Sequence, residues 1–215
     1  MGQALSQGRL ITFEGGEGAG KTTQIKLLAD SLRQAGHDLV TTREPGGAPG
    51  AEEIRQLLLT GAPERWDAES EALLMVAARR SHLVGTIWPA LAAGRLVLCD
   101  RFVDSTEAYQ GSGRGVPVER LRELHRLIAA DFQPALTLIL DLPVKEGLAR
   151  ALARDGNETR FERMPLDFHE RLRQGFLAIA SREPARCVII DATPDVATVQ
   201  AAIRSAIRDR LGVAL

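Results

Sequence analysis

One octapeptide constrains this chain more than any other stretch: Gly15-Gly16-Glu17-Gly18-Ala19-Gly20-Lys21-Thr22. It meets every fixed position of the pattern G-x-x-x-x-G-K-[ST], at Gly15, Gly20, Lys21 and Thr22. An apolar run, Leu10 to Phe13, precedes it, and a helical pattern through Ile25, Leu28 and Leu32 follows. A strand, a glycine loop and a helix in that order aim backbone N–H groups and the positive end of a helix dipole at one point, where phosphate binds. Lys21 adds a mobile positive charge, and the Thr22 hydroxyl suits a Mg²⁺ position. Residues 15 to 22 are therefore the candidate cradle of a nucleoside triphosphate. The loop alone does not separate kinases from GTPases, motors or partition ATPases.

The rest of the chain continues the alternation. Short, apolar, largely unalternated segments at Leu10–Glu14, Asp38–Thr42, Leu96–Asp100, Ala135–Asp141 and Cys187–Asp191 read as strands covered on both faces. Helical patterns lie at Lys21–Gln34, Glu52–Leu59, Glu69–Ala92, Pro117–Ala130, Val144–Arg154, Leu166–Ser181 and Asp195–Leu211. This predicts an α/β fold, a parallel sheet flanked by helices, with ligands at the carboxyl ends of the strands. The first four strands end at or beside Glu14, Arg43, Asp100 and Asp141. With 215 residues, 45% of them hydrophobic, one domain over residues 9–215 is expected, after a flexible start at 1–8.

A net charge of −1 gives no pull toward nucleic acid or a membrane surface. No apolar stretch approaches the roughly 20 residues of a membrane span, and the polar start lacks a signal core. A cytoplasmic location follows as the expectation, with Cys99 and Cys187 as two core thiols rather than a disulfide.

Four further features carry chemistry. Asp100-Arg101, at the end of the third strand, offers a carboxylate to a metal and a two-pronged guanidinium to a phosphate that receives transfer. The loop holds no Arg or Lys between Gly15 and Gly20, so charge for a transferred phosphoryl group must come from elsewhere. Residues 150–165 hold Arg150, Arg154, Arg160 and Arg163 around Asp155-Gly156-Asn157. They read as a solvated surface or a lid that folds onto phosphates, and the missing loop charge favours the lid. Residues 105–110 place Thr106, Tyr109 and Gln110 at helical spacing, able to bond a base edge and pack a sugar; as a helix start, Asp104 or Ser105 would cap it. On the long helix, one of Arg79 and Arg80 is expected to be solvated.

Taken together, the stretches 13–24, Thr42-Arg43-Glu44-Pro45-Gly46-Gly47, 73–79 and 98–111 resemble bacterial thymidylate kinase over nearly the whole chain. The resemblance implies a P-loop kinase fold with a five-stranded parallel sheet, a short arginine-rich lid at about 150–165 and a homodimer. It implies transfer of the ATP γ-phosphate to dTMP with Mg²⁺. Lys21 and Thr22 would hold the ATP phosphates and metal, with Asp100 supporting the metal. Glu17 would face the acceptor's sugar and phosphate, and Arg101 would bind the acceptor phosphate. Arg79 would reach the thymine edge, Thr106 and Gln110 would lie along the base, and Tyr109 would pack at the 2′ side of the sugar. Arg154 or Arg150 would be the catalytic lid arginine, and Glu162 matches an acidic position near the acceptor. Met75 stands where the family has a phenylalanine stacked on thymine. The alternatives are another nucleoside monophosphate kinase, acting on UMP, CMP or AMP, and a partition-type ATPase.

Overall fold

Five strands form one wholly parallel sheet: β1 (Arg9–Glu14), β2 (Leu39–Arg43), β3 (Leu96–Asp100), β4 (Leu136–Asp141) and β5 (Cys187–Asp191). Their spatial order is β2-β3-β1-β4-β5. The computed structural model describes residues 8–62, 64–153 and 160–215. Residues 1–7 of the expected N-terminal arm and 154–159 of the expected lid lie outside the described residues.

Nine α-helices are described around the sheet: α1 (Lys21–Gln34), α2 (Pro49–Leu59), α3 (Ala68–His82), α4 (Trp88–Ala92), α5 (Val103–Thr106), α6 (Val118–Ala129), α7 (Val144–Leu152), α8 (Leu166–Arg182) and α9 (Val196–Leu211). Alternate residues along each strand enter different clusters, which explains why the strands read as continuous apolar runs. Ile11, Phe13, Leu98, Leu138 and Leu140 pack on Leu28 and Leu32 of α1 and Ile203 and Ile207 of α9. On the other face Leu10, Val97 and Cys99 meet Leu83, Ile87 and Phe102, while Ile139 meets Tyr109, Phe168 and Phe176. Each fully buried Leu, Ile or Phe is worth about 2 kcal/mol against exposure.

The strand register puts the chemistry at one edge. Phe13 and Arg43 both pair with Asp100, Glu14 pairs with Ile139, and Asp141 pairs with Asp191. The sheet order reverses around β1, so the loop after β1 opens into the crevice where an α/β sheet binds ligands.

Two expectations need correction. The long pattern Glu69–Ala92 is interrupted: residues Leu83–Ile87 form a π-helical turn between α3 and α4. Pro89 explains it, because it has no N–H to donate and its ring crowds the carbonyl four residues back, so the ladder widens just before it. A second π-helical stretch, Glu107–Gly113, continues α5. Finally, neither Asp104 nor Ser105 caps that helix. α5 starts after Phe102 without a side-chain cap, and both residues lie inside it. Asp104 instead binds Arg186, and Ser105 binds Glu14. Cys99 and Cys187 are buried free thiols, as expected.

Candidate functional site

The loop between β1 and α1 packs too closely for side chains at two of its glycines. A Cβ on Gly15 (φ +128°) would lie 2.3 Å from the Leu140 carbonyl oxygen, and one on Gly18 (φ +69°) 1.9 Å from that of Gly147 in α7. Both are left-handed positions that only glycine adopts freely. Lys21 folds back into this curl, its Nζ donating to the Gly15 and Gly16 carbonyls at 3.1 and 2.9 Å. Burial, and then the nearby Arg101 charge, pull its ammonium down to about 8 against the carboxylates around it. A polyanion entering the loop would reverse that shift.

Thr22 Oγ1 donates to Asp100 Oδ2 at 3.1 Å in an exposed setting beside Lys21. No group of three or more His, Cys, Asp or Glu side chains that could hold a metal occurs among the described residues. Two hard oxygens suit Mg²⁺, which keeps waters and phosphates as its other ligands.

Behind the loop lies a cavity of about 130 Å³, lined by Glu17, Arg101, Tyr109, Arg79, Thr106, Gln110 and Met75 among others. Its loop end is organised by Arg101. This residue takes a left-handed backbone (φ +69°) directly after β3, which turns its side chain back over the loop. Its Nη1 donates to the Gly15 carbonyl at 3.0 Å and its Nη2 to Glu17 Oε1 at 3.0 Å, while the guanidinium sits 4.8 Å from the Tyr109 ring centre. The Tyr109 hydroxyl donates to the same Glu17 oxygen at 2.6 Å. Burial alone would raise Glu17; the charges of Arg101 and Lys21 and the Tyr109 bond overcome it and bring the carboxyl to about 2. Glu14, under the loop, goes the other way. Burial and the Asp104 charge raise it, although Ser105 and the Phe102 amide bond it.

The far end of the cavity is a buried polar frame. Arg79 Nε donates to Glu44 Oε2 at 2.8 Å, and its Nη2 donates to the Phe102 carbonyl and to Thr106 Oγ1 at 3.0 and 2.8 Å. His82 braces Glu44, with Nδ1 on Oε1 at 3.0 Å and Nε2 taking the Thr42 hydroxyl at 2.7 Å. Two buried polar atoms of the cavity wall have no hydrogen-bond partner among the described residues: Arg79 Nη1 and Gln110 Oε1. Orphaned groups of this kind are expensive unless something else binds them.

The sequence placed Thr106, Tyr109 and Gln110 together, and the structure gives all three to the cavity wall, though to three different tasks. Arg79 is buried and Arg80 exposed, as the solvation argument required. The arginine-rich segment divides. Arg160 is not a surface arginine at all: it is buried, its Nε donating to the Leu58 carbonyl at 2.9 Å and its Nη2 to Glu71. A part in phosphate binding does not fit it, because the buried Leu58 carbonyl and Glu71 already hold its guanidinium. Arg150 donates to Glu146 and to the Ala192 carbonyl beyond β5. Arg154 lies outside the described residues. Glu162 is half-exposed, and its charge acts on His169, which in turn acts on Glu17.

Reasoning from motifs missed Glu14, Glu44, Arg55 and Glu71. Glu44 lies within Thr42–Gly47, where a lone acid between Arg43 and Pro45 is its one mark in the sequence. Arg55 lines the cavity and donates to the Pro45 carbonyl at 2.6 Å. Glu71 carried no signal beyond its place on an amphipathic helix.

A family model for thymidylate kinase matches residues 13–203. A thymidylate kinase of Caulobacter vibrioides is 56% identical over 209 residues, spanning 97% of this chain and 100% of the relative. One from Ruegeria pomeroyi is 53% identical over 90% of this chain and 92% of its own length. The crystal structure of thymidylate kinase from Ehrlichia chaffeensis superposes with a TM-score of 0.75 at 35% identity, covering 93% of this chain and 98% of that one.

Proposed function

Because this chain belongs to the thymidylate kinase family, and so transfers the γ-phosphate of ATP to dTMP to give dTDP and ADP, we propose a division of labour among the residues just described. One observation carries it: Arg101 bonds both the phosphate loop, at Gly15, and the wall of the acceptor cavity, at Glu17. A guanidinium in that place pairs with the acceptor phosphate and sets it against the donor.

Loop amides of residues 15–20 and Lys21 hold the donor phosphates. Thr22 and Asp100 would hold Mg²⁺, which when bound would neutralise charge on those phosphates. An oxygen of the dTMP phosphate forms the new bond to the γ-phosphorus as the bridging oxygen leaves with ADP. That oxygen is already anionic, so positioning and charge do the work. Glu17, ionised at about 2, holds Arg101 and Tyr109 in place from within the loop. The Tyr109 ring lies at the sugar's 2′ side and leaves little room for a ribose hydroxyl. The unpartnered Arg79 Nη1 donates to thymine O4, while Thr106, Gln110 and Met75 flank the base. Residues 150–165 close as the lid and bring Arg154 or Arg150 to the transferred group, with Glu162 near the acceptor. Buried free thiols support a reducing, cytoplasmic setting.

A panel of monophosphates tests the substrate assignment. With ATP and Mg²⁺, ADP release should require dTMP, and kcat/KM for dTMP should exceed those for UMP, CMP and AMP by at least about 10³-fold, as buried hydrogen-bonding groups left unpaired allow. Steady ATP hydrolysis without an acceptor would sink the kinase reading.

The same reading includes a homodimer. Leu57 on α2, Leu73 on α3, Val84 in the π turn and Leu127 on α6 are all exposed, Leu127 by 81%. Large apolar side chains left exposed on these elements suit burial against a second copy. Sedimentation should give twice the 23.3 kDa chain mass, and Leu73→Glu should shift it to the monomer. A monomeric parent chain would remove the dimer.

A further inference from the structure

Glu71 sits at the start of the long helix, fully buried, and touches neither the phosphate loop nor the metal-site oxygens. Three donors converge on it. Gln110 Nε2 donates to its Oε1 at 2.8 Å, and Arg114 Nη1 donates to its Oε2 at 2.7 Å, where Arg160 Nη2 also donates. Arg160 in turn ties down the end of α2 through the Leu58 and Leu59 carbonyls. Guanidiniums donate and never accept, so both Glu71 oxygens serve as acceptors.

This has a consequence for Gln110. A glutamine amide has one accepting and one donating end, and either can in principle face a ligand. A carboxylate on one side removes the choice. Nε2 must face Glu71, so Oε1 points away from it, buried in a residue that lines the cavity and without a hydrogen-bond partner among the described residues. Beside it Arg79 Nη1 is a donor that cannot become an acceptor. The wall thus presents one fixed acceptor and one fixed donor. Thymine and uracil complement that pair, with N3–H to give and O4 to receive. Cytosine offers the reverse, an accepting N3 and a donating amino group.

We propose that Glu71 is a positioning residue for base selectivity: it locks the Gln110 amide so that the cavity accepts a 4-oxo pyrimidine and rejects a 4-amino one, and Arg160 and Arg114 lock Glu71. The inference rests on the reading that Gln110 faces the base, and deepens it. Releasing the amide lets Gln110 turn its donor toward the base, which weakens binding of thymine and uracil together and removes one of two barriers to cytosine.

The experiment measures kcat and KM of Glu71→Gln and Gln110→Ala with dTMP, dUMP and dCMP. In Glu71→Gln, KM for dTMP and dUMP should rise together by about tenfold, with their mutual ratio kept and kcat within about threefold. The dTMP:dCMP ratio of kcat/KM should fall by about 30-fold or more, as expected when one buried hydrogen-bond match is lost. An equal fall with all three substrates, a merely structural effect, overturns the proposal. If Gln110→Ala changes no KM, the underlying reading fails and the proposal with it. If Gln110→Ala raises KM but Glu71→Gln keeps full selectivity, only the role of Glu71 falls. Because removing one partner of a buried ion pair is destabilising, the parent chain supplies a second test. With ¹⁵N-glutamine labelling, one Gln110 side-chain amide proton should be protected from exchange and stay so when dTMP binds. Loss of that protection on adding dTMP overturns the proposal.

Discussion

Replacing Arg101 with alanine is expected to lower kcat/KM for dTMP by about 10³-fold while leaving the Kd for ATP within about threefold. The size follows from removing a charge-assisted, two-pronged contact to a phosphate in a water-poor site, where one aimed donor is worth about 10²–10³. The backbone does not confuse the result, because alanine at φ +69° carries much the same left-handed strain as arginine. Lys21 and the loop amides remain, so the donor half of the site stays intact. Steady-state kinetics with varied dTMP, set beside ATP titration by fluorescence, separate the two halves. Normal kcat/KM in this variant would remove the acceptor-phosphate role.

The same substitution has a signature in acid. Burial pushes Glu17 up, and Arg101 is the largest influence that brings it down to about 2. A carboxyl held below its ordinary value of 4.5 contributes stability that is complete above 4.5 and is lost as pH falls toward 2. Without Arg101 that contribution shrinks. The acid-unfolding midpoint of Arg101→Ala should therefore move to higher pH.

What the sequence made legible was local. The phosphate loop, the pair Asp100-Arg101 and the run from Thr106 to Gln110 each lie within a few residues, so their spacing alone implied their geometry. The unalternated strands announced a sheet covered on both faces, and the turn-formers after them placed its working edge. What stayed hidden depended on partners distant in sequence. Ser105 meets Glu14 across 91 positions, and Arg160 meets Glu71 across 89. A run of charges says nothing about a buried carboxylate waiting that far upstream, so Arg160 was grouped with the phosphate-binding arginines although burial had already assigned it. Helix periodicity was similarly blind to the π turn before Pro89, since one extra residue per turn leaves the apolar pattern almost unchanged.

Arg154→Ala is expected to lower kcat by about 10³-fold with little change in the Kd for ATP or the KM for dTMP. A phosphoryl group in transfer gathers charge on its equatorial oxygens, and an arginine supplied to it is worth about 10³–10⁵ in rate. The phosphate loop carries no cation between Gly15 and Gly20, so that arginine must come from another segment. Arg101 is already engaged by Gly15 and Glu17. Arg160 is buried on Glu71 and the Leu58 carbonyl. Arg150, at the last turn of α7, donates to Glu146 and the Ala192 carbonyl. Arg154 follows the end of α7, at Leu152, by two positions in the sequence. An interaction made only in the transition state lowers kcat and kcat/KM by the same factor and leaves ground-state binding alone. Single-turnover rates with preformed ATP complex measure that step directly. An unchanged rate in Arg154→Ala, together with a large fall in Arg150→Ala, would move the role one helical turn back along the chain.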